Sequence, residues 1–377
     1  MTRIVIAADF VPINRVKDLA SQGRYEEVLG ETKTLFADYD YRLVNVECPM
    51  APEGAKPIVK CGPNLSCDEQ SLKMVAWAGF DCACLANNHF YDYGDEGVKA
   101  TLKTLKQLGL DYVGGGADLQ EAGTTLYKKI GGETLALINC TEHESSIATK
   151  QSAGSNPFDP IEQYHAILEA RQKADYVVVI THGGVEHYDH PTPRMRQAYR
   201  FFIEVGADAV VNHHQHCFCG YEYYKGKPIF YGLGNFCFDK PQYRDCFWNE
   251  GYVVGLTLDK DSVECQVFPY MQCSKTPSVH FLQGEERSHF MEKLEEKSRP
   301  IADSEALEEV YRQYLERTSN RYDTLFTPYS NKFTEALCEK GLLPTCISKG
   351  KWPKLLNKIE CESHRDRLIH FIKKHIE

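Results

Sequence analysis

Three histidines, His213, His214 and His216, crowd into the stretch GADAVVNHHQHCFCGYE. The run Ala209–Val211 before them is apolar and rich in β-branched residues, which fits a short buried strand. Ligands of α/β proteins bind at the carboxyl ends of strands, and neutral imidazole is the commonest metal ligand. A histidine-rich surface loop is the alternative, so a metal site requires matching side chains at other strand ends.

Four further predicted strands run into carboxylate, carboxamide or imidazole side chains. The polar residues at these ends are Asp9, Asn45, Glu47, Asn87, Asn88, His89, Asp92, His182, Glu186, His187 and His190. A helix or turn cap explains any one Asn or Asp, but caps do not readily explain five such strand ends. Mixed ligation by His, Asp, Glu and Asn suits Mn²⁺, Zn²⁺ or Fe²⁺.

A donor set of this kind can hold two metal ions, which clamp an in-line displacement when they lie about 3.5–4 Å apart. Such a centre needs a bridging carboxylate and several neutral nitrogen or oxygen donors, and it activates water near neutral pH. A further histidine beside the ions can protonate the leaving group. The residues therefore predict a metal-dependent centre for hydrolysis.

The elements that must position these side chains alternate between strands and helices. Strands are predicted at 3–9, 41–47, 80–87, 134–140, 175–183 and 228–236, and a hairpin at 252–270. Helices are predicted at 71–79, 95–109 and 193–206. This alternation indicates an α/β layered domain, to which the hairpin adds antiparallel strands and so a mixed sheet.

The sequence changes character after about residue 275, where charged, helical segments begin. We therefore predict a catalytic domain over 1–275 and a helical C-terminal extension over 276–377. The charged faces of this extension are expected to be solvated, and a lid or a partner-binding role is the alternative reading.

Composition restricts the classes of function. The 377 residues are 42% hydrophobic and 25% charged, as in ordinary globular proteins, and the net charge of −10 disfavours a general nucleic-acid binder. The 15 cysteines include no CxxC pair, and the N-terminus lacks the features of a signal peptide. We expect reduced thiols, a cytoplasmic location and no membrane anchor, whereas the oligomeric state stays open.

Four segments in this order resemble one protein family: VNVECPM, GFDCACLANNHFYDYGDEGVKATLKTLKQLGLDYVGGG, THGGVEHYDHPTPRMRQAYRFFIEVGADAVVNHHQH and PIFYGLGNFCFD. They look like the bacterial capsule-synthesis CapA type, also called the poly-gamma-glutamate capsule family, over residues 3–240. That family is a branch of the calcineurin-like metallophosphoesterases. The resemblance implies an α/β fold, a four-layered α/β sandwich with mixed sheets.

The resemblance also implies roles for individual residues. It implies metal ligands at Asp9, Glu47, Asn88, His182, His214 and His216. Glu47 would bridge or bind metal, and His89 would act as general acid or contact a phosphate-type group. Asp92 would orient His89 or cap a turn, while His213 is expected to shape the loop.

Two departures from the family pattern matter for the site. Val11 stands where metallophosphoesterases have a histidine after the first aspartate, so one or two divalent ions (Mn, Fe or Zn) are expected. Gly183 stands where the family has a tryptophan, which would leave room in the substrate cleft. The glycine run 114–116 lacks the lysine of a nucleotide-binding loop. We expect it to form a turn in which the backbone closely approaches a neighbouring group.

The favoured hypothesis is a metal-dependent hydrolase of a phosphoester or an amide, such as a gamma-glutamyl or peptide-like bond, linked to capsule or surface-polymer metabolism. Its substrate would be a small molecule, a peptide or a polymer. The alternatives are a metal-dependent epimerase and a non-catalytic accessory protein of polymer biosynthesis.

Overall fold

The computed structural model describes residues 1–260, 262–318, 331–343, 347–360, 368–369 and 371–372. Its contacts divide the chain into two compact units, Met1–Glu308 and Glu309–Glu377. The strands are β1 Thr2–Val11, β2 Tyr41–Val46, β3 Cys82–Cys84, β4 Asp111–Val113, β5 Gly115–Gly116, β6 Leu126–Ile130, β7 Glu133–Thr141, β8 Gly154–Ser155, β9 Tyr176–His182, β10 Ala209–His213, β11 Tyr221–Tyr224, β12 Lys227–Phe230, β13 Asn235–Phe238, β14 Glu250–Leu258, β15 Val263–Gln272 and β16 Val279–Phe281.

The helices described are α1 Arg15–Ser21, α2 Glu26–Leu35, α3 Glu69–Trp77, α4 Gly94–Gln107, α5 Leu119–Ala122, α6 Pro160–Lys173, α7 Pro193–Val205, α8 Gly284–Ala302, α9 Ser304–Thr318, α10 Lys332–Glu339 and α11 Trp352–Glu360. A short 3-10 helix covers Lys349–Lys351.

Two large sheets form the centre of the first unit. The first sheet has the order β16-β15-β14-β1-β2-β3-β4, with β13 also paired to β1, and the second has the order β11-β12-β10-β9-β7-β6. Strand β1 is parallel to β2 and antiparallel to β14, while β9 is parallel to both β7 and β10. The edge strands β6 and β11 of the second sheet pair antiparallel to their neighbours. Both sheets are therefore mixed, as predicted.

The two faces of the second sheet contribute side chains to two different hydrophobic cores. Val178 and Ile180 join the large core that also contains the first sheet and the buried faces of α1, α3 and α4. Val177 and Val179 instead pack with α6 and α7 in a smaller core. Because strand side chains alternate between faces, the layers run helix, sheet, sheet, helix. The predicted four-layered α/β sandwich is confirmed.

Helix α8 packs within the first unit through an apolar face. Phe290 is 1% exposed and Leu294 is fully buried, and residues four apart share one face of a helix. The Phe290 ring lies 4.4 Å from the Phe218 ring and 6.2 Å from the Tyr252 ring, centroid to centroid. The segment up to Glu308 therefore has its contacts in the first unit, whereas the predicted extension began at residue 276.

The predicted strand 228–236 is wrong as a single strand. Strand β12 belongs to the second sheet, whereas β13 pairs with β1 in the first. The chain crosses between the sheets at Gly234, whose φ is +86° and whose Cβ, if present, would lie 2.8 Å from the carbonyl oxygen of Glu250. Only glycine fits this crossing, because both the dihedral and the close approach exclude a side chain.

The other predicted elements in the first unit are present with shifted ends, and the 252–270 hairpin is formed by β14 and β15. Several elements were not predicted, among them α1, α2, α6 and β16. Within the predicted helical extension 276–377, most residues after 360 lie outside the described part of the chain. No helix in the described ranges is both long and apolar enough to span a membrane.

The packing of α8 predicts a large stability effect for Phe290→Ala. Deleting a buried aromatic side chain costs about 3–5 kcal/mol, so urea unfolding should show this loss for the first unit. Glu292→Ala on the same helix is the control, since the Glu292 side chain is 77% exposed. Equal stability of the two variants would contradict the packing of α8 on the first unit.

Candidate metal centre

Side chains from both sheets meet where their parallel strands end. Asp9 lies near the end of β1, Glu47 directly follows β2, and His182 ends β9. His214 and His216 follow β10. All five are buried, and the two carboxylate residues are fully inaccessible. The structure thus brings five of the six predicted ligands to one cluster between the sheets, and Asn88 lies beside them.

Glu47, His182 and His214 form one potential ligand group, called here the His182 group. His182 Nε2 lies 3.5 Å from Glu47 Oε1 and 3.2 Å from His214 Nδ1. It also lies 3.1 Å from Asn88 Oδ1. Ligands bound at about 2.0–2.1 Å in tetrahedral geometry are about 3.3 Å apart, so these spacings fit donors around one ion.

Asp9, Glu47 and His216 form a second potential group, called here the Asp9 group. His216 Nδ1 lies 3.7 Å from Asp9 Oδ2, and His216 Nε2 lies 3.9 Å from Glu47 Oε1. The Oδ1 atom of Asn235 lies 2.9 Å from His216 Nδ1 and can hold this ring in place. Glu47 is common to both groups, which is the arrangement that a bridging carboxylate requires.

The electrostatics of the cluster favour a bound cation. Neither carboxylate oxygen of Glu47 has a hydrogen-bond partner among the described residues. Burial and the neighbouring Asp9 raise the pKa of Glu47 well above its usual range, and burial raises the pKa of Asp9 to about 7. Unpaired buried charges cost several kcal/mol each, and a divalent cation between the two carboxylates would remove that cost.

The histidines are held in the form that binds metal. Burial lowers the pKa of His182 and of His216 well below the usual histidine value. Their rings are therefore neutral at physiological pH, and a neutral ring offers a nitrogen lone pair. The residues present fit a divalent metal ion such as Zn²⁺, Mn²⁺ or Fe²⁺, for which mixed nitrogen and oxygen donors are suitable.

The turn after β10 is strained where it presents the closing histidines. His214 has a φ of +100° and His216 a φ of +55°, in the region that favours glycine. Such residues cost of order 1–3 kcal/mol and persist only where the surrounding structure fixes them. The Asp9 carboxylate contributes to this, because it accepts a hydrogen bond from the His214 backbone N–H at 3.3 Å.

Neither His213 nor Val11 contributes a donor to the two ligand groups. His213 pairs in register with His182, and its Nδ1 lies 3.6 Å from Asp9 Oδ1, but it belongs to neither ligand group. Val11 is buried and pairs with Phe238. The Asp9 group consequently has three described donors, one fewer than a closed tetrahedral shell.

The room expected beside Gly183 is filled. A Cβ on Gly183 would lie 2.5 Å from Cγ of Glu142, so this glutamate side chain occupies the space. The expectation of open space there is therefore wrong, because an acidic side chain lies where the family has an aromatic one. The glycine turn at 114–116 does require close approach, since a Cβ on Gly114 would lie 2.2 Å from Asn139 Oδ1.

A second polar cluster adjoins the ligands. His89 Nδ1 lies 2.6 Å from Asp92 Oδ2, and Asp92 is fully buried. The Lys60 side chain, only 4% exposed, forms an ion pair with Asp92 and places its Nζ 3.0 Å from His89 Nδ1. Burial lowers the pKa of His89, with an additional contribution from Lys60. Asp92 contacts His89 as an orienting residue would, and it also accepts a hydrogen bond from the backbone N–H of Leu65 as a turn cap would, so both roles of Asp92 stay predictions.

Three contributors to the centre were not predicted from the sequence. Lys60 lies in a segment without periodicity, Glu144 belongs to no motif, and Asn235 lay inside a misassigned strand. Glu144 Oε2 accepts a hydrogen bond from Asn88 Nδ2 at 3.4 Å, which leaves Asn88 Oδ1 facing His182. Of these three residues, only Asn235 had a signal in the sequence, because the LGNF motif places this asparagine directly after a glycine.

Comparison with known proteins identifies a family over most of the first unit. Residues 3–240 match the family described as bacterial capsule synthesis protein PGA_cap. The chain is 34% identical over 245 residues to the capsule biosynthesis protein CapA of Bacillus anthracis, covering 63% of this chain and 60% of that protein. It is 35% identical over 231 residues to the PGA biosynthesis protein CapA of Bacillus subtilis strain 168, covering 58% and 61%. The matches thus span about three fifths of these relatives.

Among solved structures, the chain is similar to a 5'-nucleotidase precursor from Thermus thermophilus. The sequence identity is 13% and the TM-score is 0.42, with 80% of this chain and 59% of that chain covered. The roles of the individual site residues stay predictions.

The shared Glu47 predicts a distinctive pattern of metal loss. Purified protein reconstituted with Mn²⁺ or Zn²⁺ should hold about two equivalents, measured by elemental mass spectrometry. Asp9→Asn and His182→Ala should each lose about one equivalent, whereas Glu47→Gln should lose both. The control is His289→Ala, whose side chain is 69% exposed. Wild-type metal content in Glu47→Gln would contradict a shared ligand.

The buried Lys60–Asp92 pair predicts a loss of stability in Lys60→Met. Removing one partner of a buried ion pair costs about 3 kcal/mol, and urea unfolding of the metal-free protein measures it. Lys56→Met is the matched control, because Lys56 is an exposed lysine of the same segment. An unchanged unfolding free energy in Lys60→Met would show that the pair contributes nothing net.

Proposed function

The chain belongs to the bacterial capsule synthesis protein family PGA_cap, and from this premise we propose that it is a metal-dependent hydrolase with a dinuclear centre. The observation that carries the proposal is the sharing of the buried Glu47 carboxylate by the Asp9 group and the His182 group. Each group offers three donors, and the carboxylate between them has no other partner in the described chain.

The ligand residues would form two sites, one for each ion. Glu47 would bridge, and His182 and His214 would complete one side together with the Asn88 carboxamide oxygen. Asp9 and His216 would hold the other side with fewer protein donors, which leaves positions open for water or substrate. Two divalent ions bound there supply electrophilic stabilisation of an in-line displacement and a water of lowered pKa.

His89 is proposed to transfer a proton to the leaving group. Asp92 binds the Nδ1 side of the ring at 2.6 Å, so the transferable proton belongs to Nε2. Because burial lowers the pKa of His89, its imidazolium form is a stronger acid than an exposed histidine. Lys60 keeps Asp92 in place beside this ring through their ion pair.

We propose a phosphoester as the preferred candidate for the bond cleaved, and a gamma-glutamyl or other amide bond as the second candidate. Two-metal centres catalyse the hydrolysis of both kinds of bond. A role in capsule or surface-polymer metabolism is proposed from the names of the Bacillus relatives. The name of a Mycobacterium tuberculosis relative, a probable polyglutamine synthesis accessory protein, supports one alternative, an accessory protein that binds polymer at this centre without turnover.

Turnover by the reconstituted protein separates these functions. The metal-loaded chain is assayed on p-nitrophenyl phosphate, bis(p-nitrophenyl) phosphate and gamma-glutamyl p-nitroanilide, with Glu47→Gln as the inactive control. Release of p-nitrophenol or p-nitroaniline by wild type alone would support the hydrolase. Full metal content without turnover of any of the three would instead favour the accessory role.

The proton-transfer role of His89 predicts a leaving-group dependence. His89→Gln should lower kcat by about 10²–10⁴-fold on an alkyl phosphate, and less on p-nitrophenyl phosphate, whose leaving group needs little protonation. Metal content should remain unchanged. His165→Gln, an exposed histidine on α6, is the control. The same loss on both substrates would contradict proton donation by His89.

A further inference from the structure

Lys240 lies beside the centre on a surface of aromatic rings. We call this surface the aromatic shelf, and it consists of Phe238, Tyr243, Phe247 and Trp248. The Nζ atom of Lys240 lies 4.5 Å from the ring centroids of both Phe238 and Trp248. The same two rings contact the predicted ligand His216, at 5.6 Å and 4.9 Å between centroids. Lys240 and the Asp9 group therefore share one aromatic support.

The charge of Lys240 is not neutralised by an ion pair. Within the described ranges, no carboxylate oxygen lies within 4.0 Å of its Nζ. The adjacent Asp239 is occupied, since its Oδ1 lies 2.7 Å from Arg15 Nη2 and 3.7 Å from Arg244 Nη2. Glu47 and Glu186 act on Lys240 only through longer-range attraction.

Metal binding would change the field at this lysine. Two divalent ions carry four positive charges, and the carboxylates of Asp9 and Glu47 return two. The ions would offset the attraction that Glu47 exerts on the ammonium of Lys240, which leaves this cation without a neutralising partner at the centre. An anion is the species that such a cluster of cations attracts.

We propose that Lys240 binds an oxyanion of the substrate, a phosphate or carboxylate group, next to the Asp9 group. The cation–π contacts with the shelf hold the ammonium in position, so little side-chain entropy is lost when the anion binds. The inference rests on the proposed dinuclear centre and adds to it the substrate class, an oxyanion-bearing molecule.

The exposed Phe247 ring indicates what carries the anion, whereas Trp248 of the shelf is fully buried. Tyr243 and Trp248 stack at 4.7 Å with an interplanar angle of 20°, and Phe247 is 45% exposed beside them. The His187 ring lies 5.5 Å from the Phe247 ring. Aromatic surface at the mouth of a site favours a planar or apolar group on the ligand.

The experiment measures oxyanion binding without turnover. Isothermal titration calorimetry of the metal-loaded protein uses two probes, inorganic phosphate and glutarate, which distinguish phosphate from carboxylate recognition. The variants are Lys240→Met, which keeps the apolar stem, Lys240→Gln as a second neutral variant, and Lys240→Arg, which keeps the charge. Lys99→Met is the control, because the Lys99 side chain is 59% exposed on α4.

The proposal expects Kd for at least one probe to rise about tenfold in Lys240→Met and Lys240→Gln, and to stay near wild type in Lys240→Arg and Lys99→Met. Metal content is measured on each variant, so that loss of the centre is not mistaken for loss of the anion contact. The proposal is overturned if Kd changes less than threefold for both probes in Lys240→Met and Lys240→Gln. It is also overturned if neither probe binds the wild-type protein.

These results are separable from the hydrolase test. Oxyanion binding that depends on Lys240 in a protein without turnover would retain the subsite and reject the hydrolase. Turnover that persists while Lys240 has no effect on either probe would retain the hydrolase and reject the subsite.

Discussion

Two buried carboxylates at the junction of the two sheets are the constraint on which the rest of the site depends. Asp9 and Glu47 are fully inaccessible, and the charge of Asp9 raises the cost of ionising Glu47. The surrounding imidazoles do not offset this charge, because burial keeps His182 and His216 neutral. A cation bound between the carboxylates would offset this cost, and the neutral imidazoles would then be its remaining ligands.

The fold supplies this junction through the direction of its strands. Strands β1 and β2 of the first sheet and β9 and β10 of the second all deliver polar residues at their carboxyl ends, where parallel strands leave a crevice. The crossing at Gly234 adds a further connection between the sheets and sets Asn235 opposite Asp9. The strained backbone at His214 and His216 is the local cost of turning both imidazoles towards that crevice.

Three residues that the sequence analysis did not single out lie close to the predicted ligands. Glu142 fills the space beside Gly183, Glu144 holds the Asn88 amide, and Lys240 lies over aromatic rings. In the proposed centre the ligand residues would hold the metal ion, whereas these three residues would influence which substrate group approaches it. Two of these residues are acidic, and the third is a lysine without an ion pair in the described chain.

The sequence by itself determined the strand and helix alternation and the polar strand ends, because these depend on local periodicity, whereas the six candidate ligands followed from the resemblance of short motifs to one family. Tertiary structure alone decided that the Glu47 carboxylate lies within reach of two ligand groups and that 228–236 divides between sheets. It also decided the positions of Lys60, Glu142 and Lys240. The physical reason is that each of these depends on which distant side chain fills or neutralises a neighbouring space, and neither hydropathy nor spacing along the chain records that.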